Sequence, residues 1–243
     1  MREKIRTGID GLDALLGGGI PKRNQMLLAG GPGAGKTLIS FEYIYRNALA
    51  GKKSALFSIE ETSEMIIENA KEAFSNFKDI DKLIESKKLI IEGLEEERQY
   101  LGNNNENRGG YAFNEWLGGI SSIIEAEKID AAAIDSISAL KLLIKDQLDY
   151  RNLSINMINT LRKLNATTII TAEMNSTNRI GLMFEPEFFI YDGIIILYLS
   201  TASNNRRIKS LEVIKNRGSG NSTATVPYEI TEDGIVLENL NLD

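Results

Sequence analysis

The chain of 243 residues contains no cysteine and no histidine. These absences exclude a disulfide framework, a thiol nucleophile, a Cys/His zinc site and a Ser-His-Asp triad. Any proton transfer must rely on carboxylates, lysine, tyrosine or water. No apolar run approaches the roughly 18 residues that a membrane span requires, and the opening MREKIRTGIDGLD has no apolar signal-peptide core. A cytoplasmic protein without membrane insertion is expected. There is also no Pro/Gly/Ser-rich linker and no internal repeat, so one domain over residues 1–243 is expected. The polar stretch NNNENRGG at 103–110 reads as a surface loop. With 28 basic against 34 acidic residues, the net charge of −6 disfavours indiscriminate attraction to nucleic acid and leaves only a local basic groove open.

What is present is a succession of short apolar runs with helical stretches between them, the pattern of an α/β domain with a largely parallel sheet. Strands are expected at about 25–30, 54–59, 88–92, 131–135, 168–173 and 193–199. The runs barely alternate, so both faces of the sheet should be covered. Helices are expected at 36–50, 63–75, 113–127 and 150–164; in the second, Met65, Ile66, Ala70 and Phe74 form an apolar stripe. The final segment changes to RIKSLEVIK, TATVPYEI and GIVLEN, with Asp233-Gly234 as a hairpin turn, which suggests an antiparallel end to the sheet.

The strongest motif is GGPGAGKT at 30–37, which fits G-x-x-x-x-G-K-[ST] with Gly30, Gly35, Lys36 and Thr37 at the fixed positions. An apolar strand enters it and a helical stretch leaves it. Gly31, Gly33 and Gly35 let the backbone curl so that successive amides point at phosphate oxygens, and the helix adds the positive end of its dipole. Pro32, Ala34 and Leu38 complete the run of candidate nucleotide contacts. Lys36 supplies a cation for the β- and γ-phosphates, and the Thr37 hydroxyl can join a magnesium shell made mostly of water and phosphate. ATP and magnesium are thus the expected ligands.

Such a site needs an acidic residue at the end of a neighbouring strand. Asp135 ends the run AAAI and is the candidate metal-side carboxylate; a turn or helix cap is the other reading. The doubled glutamate in LFSIEETSE is open in the same way. Ser58 to Glu61 has the spacing of a capping box at a helix start. Without histidine, however, Glu60 and Glu61 are also candidates to orient or deprotonate an attacking water. If strand geometry persisted through Glu61, only one of the two could face that water.

The opening RTGIDGLDALLGGGIPKRNQMLLAGGPGAGKT closely resembles the start of the RecA-like ATPases of the KaiC/RadA type. SIEET, IDSIS at Asp135, YDGIIIL and IKNRGSG at 214–220 extend the resemblance, in order, along essentially the whole chain. The single-domain archaeal KaiC-like proteins are the most similar group. The resemblance implies a RecA core that hydrolyses ATP slowly, with nucleotide between subunits of a ring or filament and a hexameric ring as the expected homo-oligomer; the antiparallel strands read above would extend that core. It also implies that Glu60 and Glu61 are the paired catalytic glutamates, working with Lys36. Lys215 and Arg217 would reach the γ-phosphate of the neighbouring subunit. The clock members of this family carry a phosphorylated Ser-Thr pair where this chain has EFFIYDG, with Phe188 and Phe189, so clock-type autophosphorylation is not expected. Neither the two-domain duplication nor the helical DNA-binding domain of the archaeal recombinase is expected.

Two loops, 141–152 and 174–189, correspond by this resemblance to channel-facing loops. Lys141, Lys145, Arg151 and Arg179 lie in them among acidic and apolar residues, a weak basic signal for DNA. Phe188-Phe189 is a stacking candidate, or core, or subunit contact. Besides a slow ATPase, two other functions remain open: a nucleotide-gated module for a protein partner, and a recombination accessory that binds single-stranded DNA.

Overall fold

The computed structural model describes residues 2–93, 109–144, 146–174, 185–201 and 205–238. A nine-stranded sheet runs in the order β11-β10-β9-β8-β3-β7-β6-β4-β5. Its members are β3 (Gln25–Gly30), β4 (Ser54–Ser58), β5 (Leu89–Glu92), β6 (Ala131–Asp135), β7 (Thr167–Glu173), β8 (Gly193–Thr201), β9 (Arg207–Asn216), β10 (Thr225–Thr231) and β11 (Gly234–Leu237). The stretch from β5 to β8 is parallel throughout, and β9, β10 and β11 add antiparallel strands at the other end. The α/β reading and the antiparallel finish both hold.

Helices α2 (Lys36–Leu49), α3 (Ser63–Ala73) and α4 (Ile80–Glu85) cover one face, and α5 (Gly109–Glu127), α6 (Ile137–Leu143) and α7 (Gln147–Lys163) cover the other. Residues of a strand point alternately to either side, so both sets along β3 must be apolar. Met26 and Leu28 pack with Phe41 and Ile66, while Leu27 and Ala29 pack with Trp116 and Met157. Two-sided burial is the reason the strand runs do not alternate. Of the loop expected at 103–110, residues 109–110 already begin α5, and the remainder lies outside the described residues.

Two further strands pair ahead of the sheet, β1 (Lys4–Ile5) with β2 (Ile20–Pro21), and α1 (Asp10–Leu15) lies between them. The motif RTGIDGLD has a structural use here. The buried Asp13 carboxylate accepts from the Thr7 amide at 2.6 Å, the Thr7 hydroxyl at 2.8 Å, the Gly8 amide at 3.2 Å and Arg6 Nε at 3.2 Å. Gly8 has φ +79°, and a Cβ there would lie 2.3 Å from the Arg46 Cβ, so the turn requires glycine. Asp13→Ala would strand the buried Thr7 amide and is expected to cost about 3 kcal/mol in urea unfolding. A loss below about 1 kcal/mol would contradict this role for the motif.

Candidate functional site

β3 ends at Gly30 and α2 begins at Lys36, with the glycine arch between them. Gly33 and Gly35 have φ of +75° and +91°, which turns the chain so that α2 starts on a residue with no capping side chain. The first-turn amides of α2 are thus available to an anion, and the helix dipole favours one there. The arch is braced from behind by the antiparallel strands. The Tyr228 hydroxyl of β10 donates to the Ala34 carbonyl, and a Cβ on Gly35 would meet Ile230 Cδ1 at 2.9 Å. On α2, the buried Glu42 accepts from the Ile235 amide at 2.6 Å. This bond fixes the helix to the β10–β11 hairpin, whose turn carries Gly234 as the sequence predicts. None of this bracing is readable from the motif itself.

The Lys36 ammonium donates to the Gly30 and Gly31 carbonyls at 3.0 and 3.2 Å, within the mouth of the arch. Thr37 Oγ1 donates to Asp135 Oδ2 at 2.5 Å. Asp135 ends β6, is 6% exposed, and also accepts from the Thr171 hydroxyl of β7. Ser136, not Asp135, caps the following helix, its Oγ accepting from the Ser138 amide at 3.2 Å. The cap reading of Asp135 is therefore set aside by the geometry.

A hydroxyl and a carboxylate at the arch are hard oxygen donors of the kind magnesium takes. Among the described residues no group of three or more His, Cys, Asp or Glu is disposed to hold an ion. Thr37 and Asp135 are what the protein would contribute, with phosphate and water completing the shell.

β4 stops at Ser58, so Glu60 and Glu61 do not lie on a strand. They also precede α3, whose cap is Thr62, accepting from the Met65 amide at 3.2 Å. Ser58 Oγ instead accepts from the Glu60 and Glu61 amides at 3.2 and 2.9 Å, closing a tight turn outside the helix. The two side chains have different surroundings. Glu61 accepts from Asn69 of α3 at 3.2 Å. Glu60 lies where burial, then the like charges of Asp135 and Glu173, raise its pKa, with Lys36 opposing and Glu61 adding to the rise.

Glu173 is a residue that motif reasoning missed. It ends β7 opposite Gly30, its amide is held by Ser138 Oγ at 2.7 Å, and the next amide, of Met174, donates to the Gly30 carbonyl at 3.2 Å. The available signal was its place at the carboxyl end of a parallel strand.

Lys215 and Arg217 stand elsewhere. β8 starts level with β3, Gly193 opposite Met26, and the antiparallel β9 brings Lys215 back opposite Ile194. Lys215 is therefore level with Leu27, about 10 Å along the strand from Gly30, and Arg217, just past the end of β9, lies about 17 Å from it, towards the start of β3. Lys215 Nζ donates to the Tyr191 carbonyl at 2.5 Å and the Phe189 carbonyl at 3.4 Å. Burial and the neighbouring Arg217 lower its pKa. Arg217 lies 4.0 Å from Asp192 and keeps a side chain 55% exposed; Arg162 is the closer partner of Asp192, at 2.8 Å.

The stretch 141–152, expected as a loop, is instead mostly helix, with Lys141 in α6 and Arg151 in α7, and these two described basic residues are engaged within the chain. Lys141 pairs with Glu185, and Arg151 donates to the Pro186 carbonyl at 2.8 Å. Lys145 and Arg179 lie outside the described residues. Phe188 is core, whereas Phe189 is 59% exposed.

A phosphate-type arch on the central strand of this mixed sheet defines a RecA-fold nucleotide-binding ATPase core. The family model described as "ATPase: KaiC" matches residues 5–241, and the chain belongs to that family. It is similar to a UPF0273 protein of Methanopyrus kandleri, 29% identical over 97% of this chain and 92% of that one. The circadian clock oscillator protein KaiC of Synechococcus elongatus is 28% identical over 96% of this chain but only 43% of its own length, so the chain spans less than half of that relative. Among solved structures, a KaiC-like protein of the hyperthermophilic archaeon Pyrococcus horikoshii superposes with a TM-score of 0.80, at 25% identity, over 98% of this chain and 100% of that one. No described helix is long and apolar enough to cross a membrane.

The electrostatics give a direct check in the nucleotide-free protein. Glu60 should titrate above the ordinary carboxylate range by side-chain carboxyl NMR. Glu173→Gln removes a like charge and so should shift the Glu60 midpoint downward. An unmoved midpoint would show that Glu173 does not face Glu60.

Proposed function

We propose that the chain binds and hydrolyses ATP with magnesium, in a ring or filament where each site is completed by Lys215 and Arg217 of the adjoining copy. The observation that carries this reading is the direct Thr37–Asp135 hydrogen bond at 2.5 Å, beside Lys36 and the glycine arch. It brings the two oxygens suited to a metal to the place where the phosphates of a nucleotide would lie. Gly30, Gly31, Pro32, Gly33, Ala34 and Gly35 would wrap the phosphates, Lys36 would turn from its loop carbonyls to the β- and γ-oxygens, and Leu38 would lie along the nucleotide. Thr37 and Asp135 would hold the metal or its water, and the ion when bound supplies positive charge to the phosphate oxygens.

Hydrolysis transfers the γ-phosphoryl group to water and releases ADP, and a base must take or orient the water's proton. Glu60 is the better candidate, because it shares the electrostatic environment of Lys36 and Asp135 while Glu61 is tied to Asn69. Glu61 is a supporting residue. Its raised pKa makes Glu60 a stronger base once ionised, and turnover should fall as the pH drops through its midpoint. A role across a subunit boundary is supported by where the two cations are held, Lys215 on the Tyr191 and Phe189 carbonyls and Arg217 beside Asp192, towards the end of the sheet away from the loop of their own chain.

Two experiments test this reading. At saturating ATP, Glu60→Gln should lower kcat by roughly 10²- to 10⁴-fold, and Glu61→Gln by less; unchanged turnover in both, and in the double variant, would end the assignment. Lys36→Ala copies and Arg217→Ala copies, each inactive alone, should recover activity when mixed, because one boundary type then has an intact loop and an intact arginine. Mixtures as inactive as their parents would remove the across-subunit role.

A further inference from the structure

The loop that bears Arg217 is gripped from two sides. On one side lies the N-terminal motif LLGGGI. Asn216 Nδ2 and the Ser219 hydroxyl donate to the Leu16 carbonyl at 3.1 and 3.0 Å, and Lys4 Nζ reaches Ser219 Oγ at 2.7 Å and the Gly17 carbonyl at 2.5 Å. Gly17 has φ +64°, and a Cβ there would lie 2.7 Å from the Gly220 carbonyl, so the glycine run lets the two loops close on each other. On the other side lies the start of β3. Asn24, 5% exposed, donates its side-chain amide to the Arg217 carbonyl at 2.7 Å. The Arg217 amide donates to the Asp192 carbonyl at 2.8 Å, and Asp192 is bonded to Gln25 in both directions, amide to carbonyl at 2.9 Å and Gln25 amide to carboxylate at 3.0 Å.

These bonds hold the backbone of Arg217 and leave its exposed guanidinium to project. Asn24 directly precedes β3, and β3 ends in the phosphate loop. One strand about 20 Å long therefore carries the loop at one end and the support of the arginine at the other.

We propose that Asn24 is a positioning residue for Arg217, fixing the arginine backbone to the foot of the strand whose far end forms the phosphate loop. The proposal rests on the across-subunit reading of Arg217. Asn24 touches neither nucleotide nor metal; it acts by setting the height and direction from which the guanidinium leaves its own chain. A misplacement of about 1 Å in such a group is enough to cost on the order of 10²-fold in rate.

The test is the class into which Asn24→Ala falls in mixed assemblies. Alone, the variant should bind Mg·ATP within about twofold of the parent by calorimetry, while kcat falls roughly ten- to a hundredfold. Mixed with Lys36→Ala copies it should regain activity, because it supplies an intact loop and its partner an intact arginine. Mixed with Arg217→Ala copies it should not, because no boundary then has a well-placed arginine. Recovery with Arg217→Ala instead, or an unchanged kcat in the variant alone, would overturn the proposal. If Lys36→Ala and Arg217→Ala copies complement each other and Asn24→Ala falls in the wrong class, only this inference is lost. If those two fail to complement, the across-subunit reading fails and takes the inference with it. Asn24→Ser, which keeps a hydroxyl in the buried position, takes the place of Asn24→Ala if that variant does not fold.

Discussion

Because β3, β4, β6 and β7 run in one direction, whatever follows each of them emerges at one edge of the sheet. The phosphate loop follows β3 and Glu60 follows β4; Asp135 and Glu173 are the last residues of β6 and β7. Residues separated by more than a hundred positions thereby share one electrostatic environment, which is why burial and like charge act together on Glu60. The same constraint sends Lys215 and Arg217 towards the opposite edge, since β9 runs the other way. Acids and arch on one edge, cations towards the other, is an arrangement suited to a site divided between two copies.

The arch is not self-supporting. A glycine loop has more freedom to lose than any other sequence, and its shape must be imposed by neighbours. Tyr228 and Ile230 of β10 press on Ala34 and Gly35, and the Glu42–Ile235 bond ties α2 to the hairpin behind it. The N-terminal segment performs a parallel service at the other edge, where its glycine run closes on the loop of Arg217. The antiparallel extension and the N-terminal motif thus each hold one of the two loops on which the proposed chemistry depends.

Much of this was legible in the sequence, for definable reasons. Strands buried on both faces announce themselves as unbroken apolar runs, so the parallel strands stand within about two residues of the expected places. The glycine-lysine-threonine spacing is set by phosphate geometry and reads directly. Short elements such as α1 and α4 were not visible, because six residues carry too little periodicity. Strand alternation offered a split between Glu60 and Glu61 only if β4 continued through Glu61, and it stops at Ser58; their different surroundings arise from a turn closed by Ser58 and from the Asn69 contact, which are tertiary facts. Glu173 had no motif around it. Its relevance comes only from the register that sets it beside Gly30, and that register depends on residues far away in the chain. RTGIDGLD and LLGGGI were recognisable as motifs, but their use as a carboxylate-stapled turn and a loop clasp needed coordinates.

The central claim is that the backbone amides of the arch and the Lys36 ammonium hold a nucleoside triphosphate against a divalent ion. Calorimetric titration of the folded protein with ATP, in the presence and absence of magnesium, tests it most directly. Saturable binding strengthened by magnesium and lost on Lys36→Ala is the predicted result. No heat of binding under either condition, or binding that Lys36→Ala leaves untouched, would contradict the account.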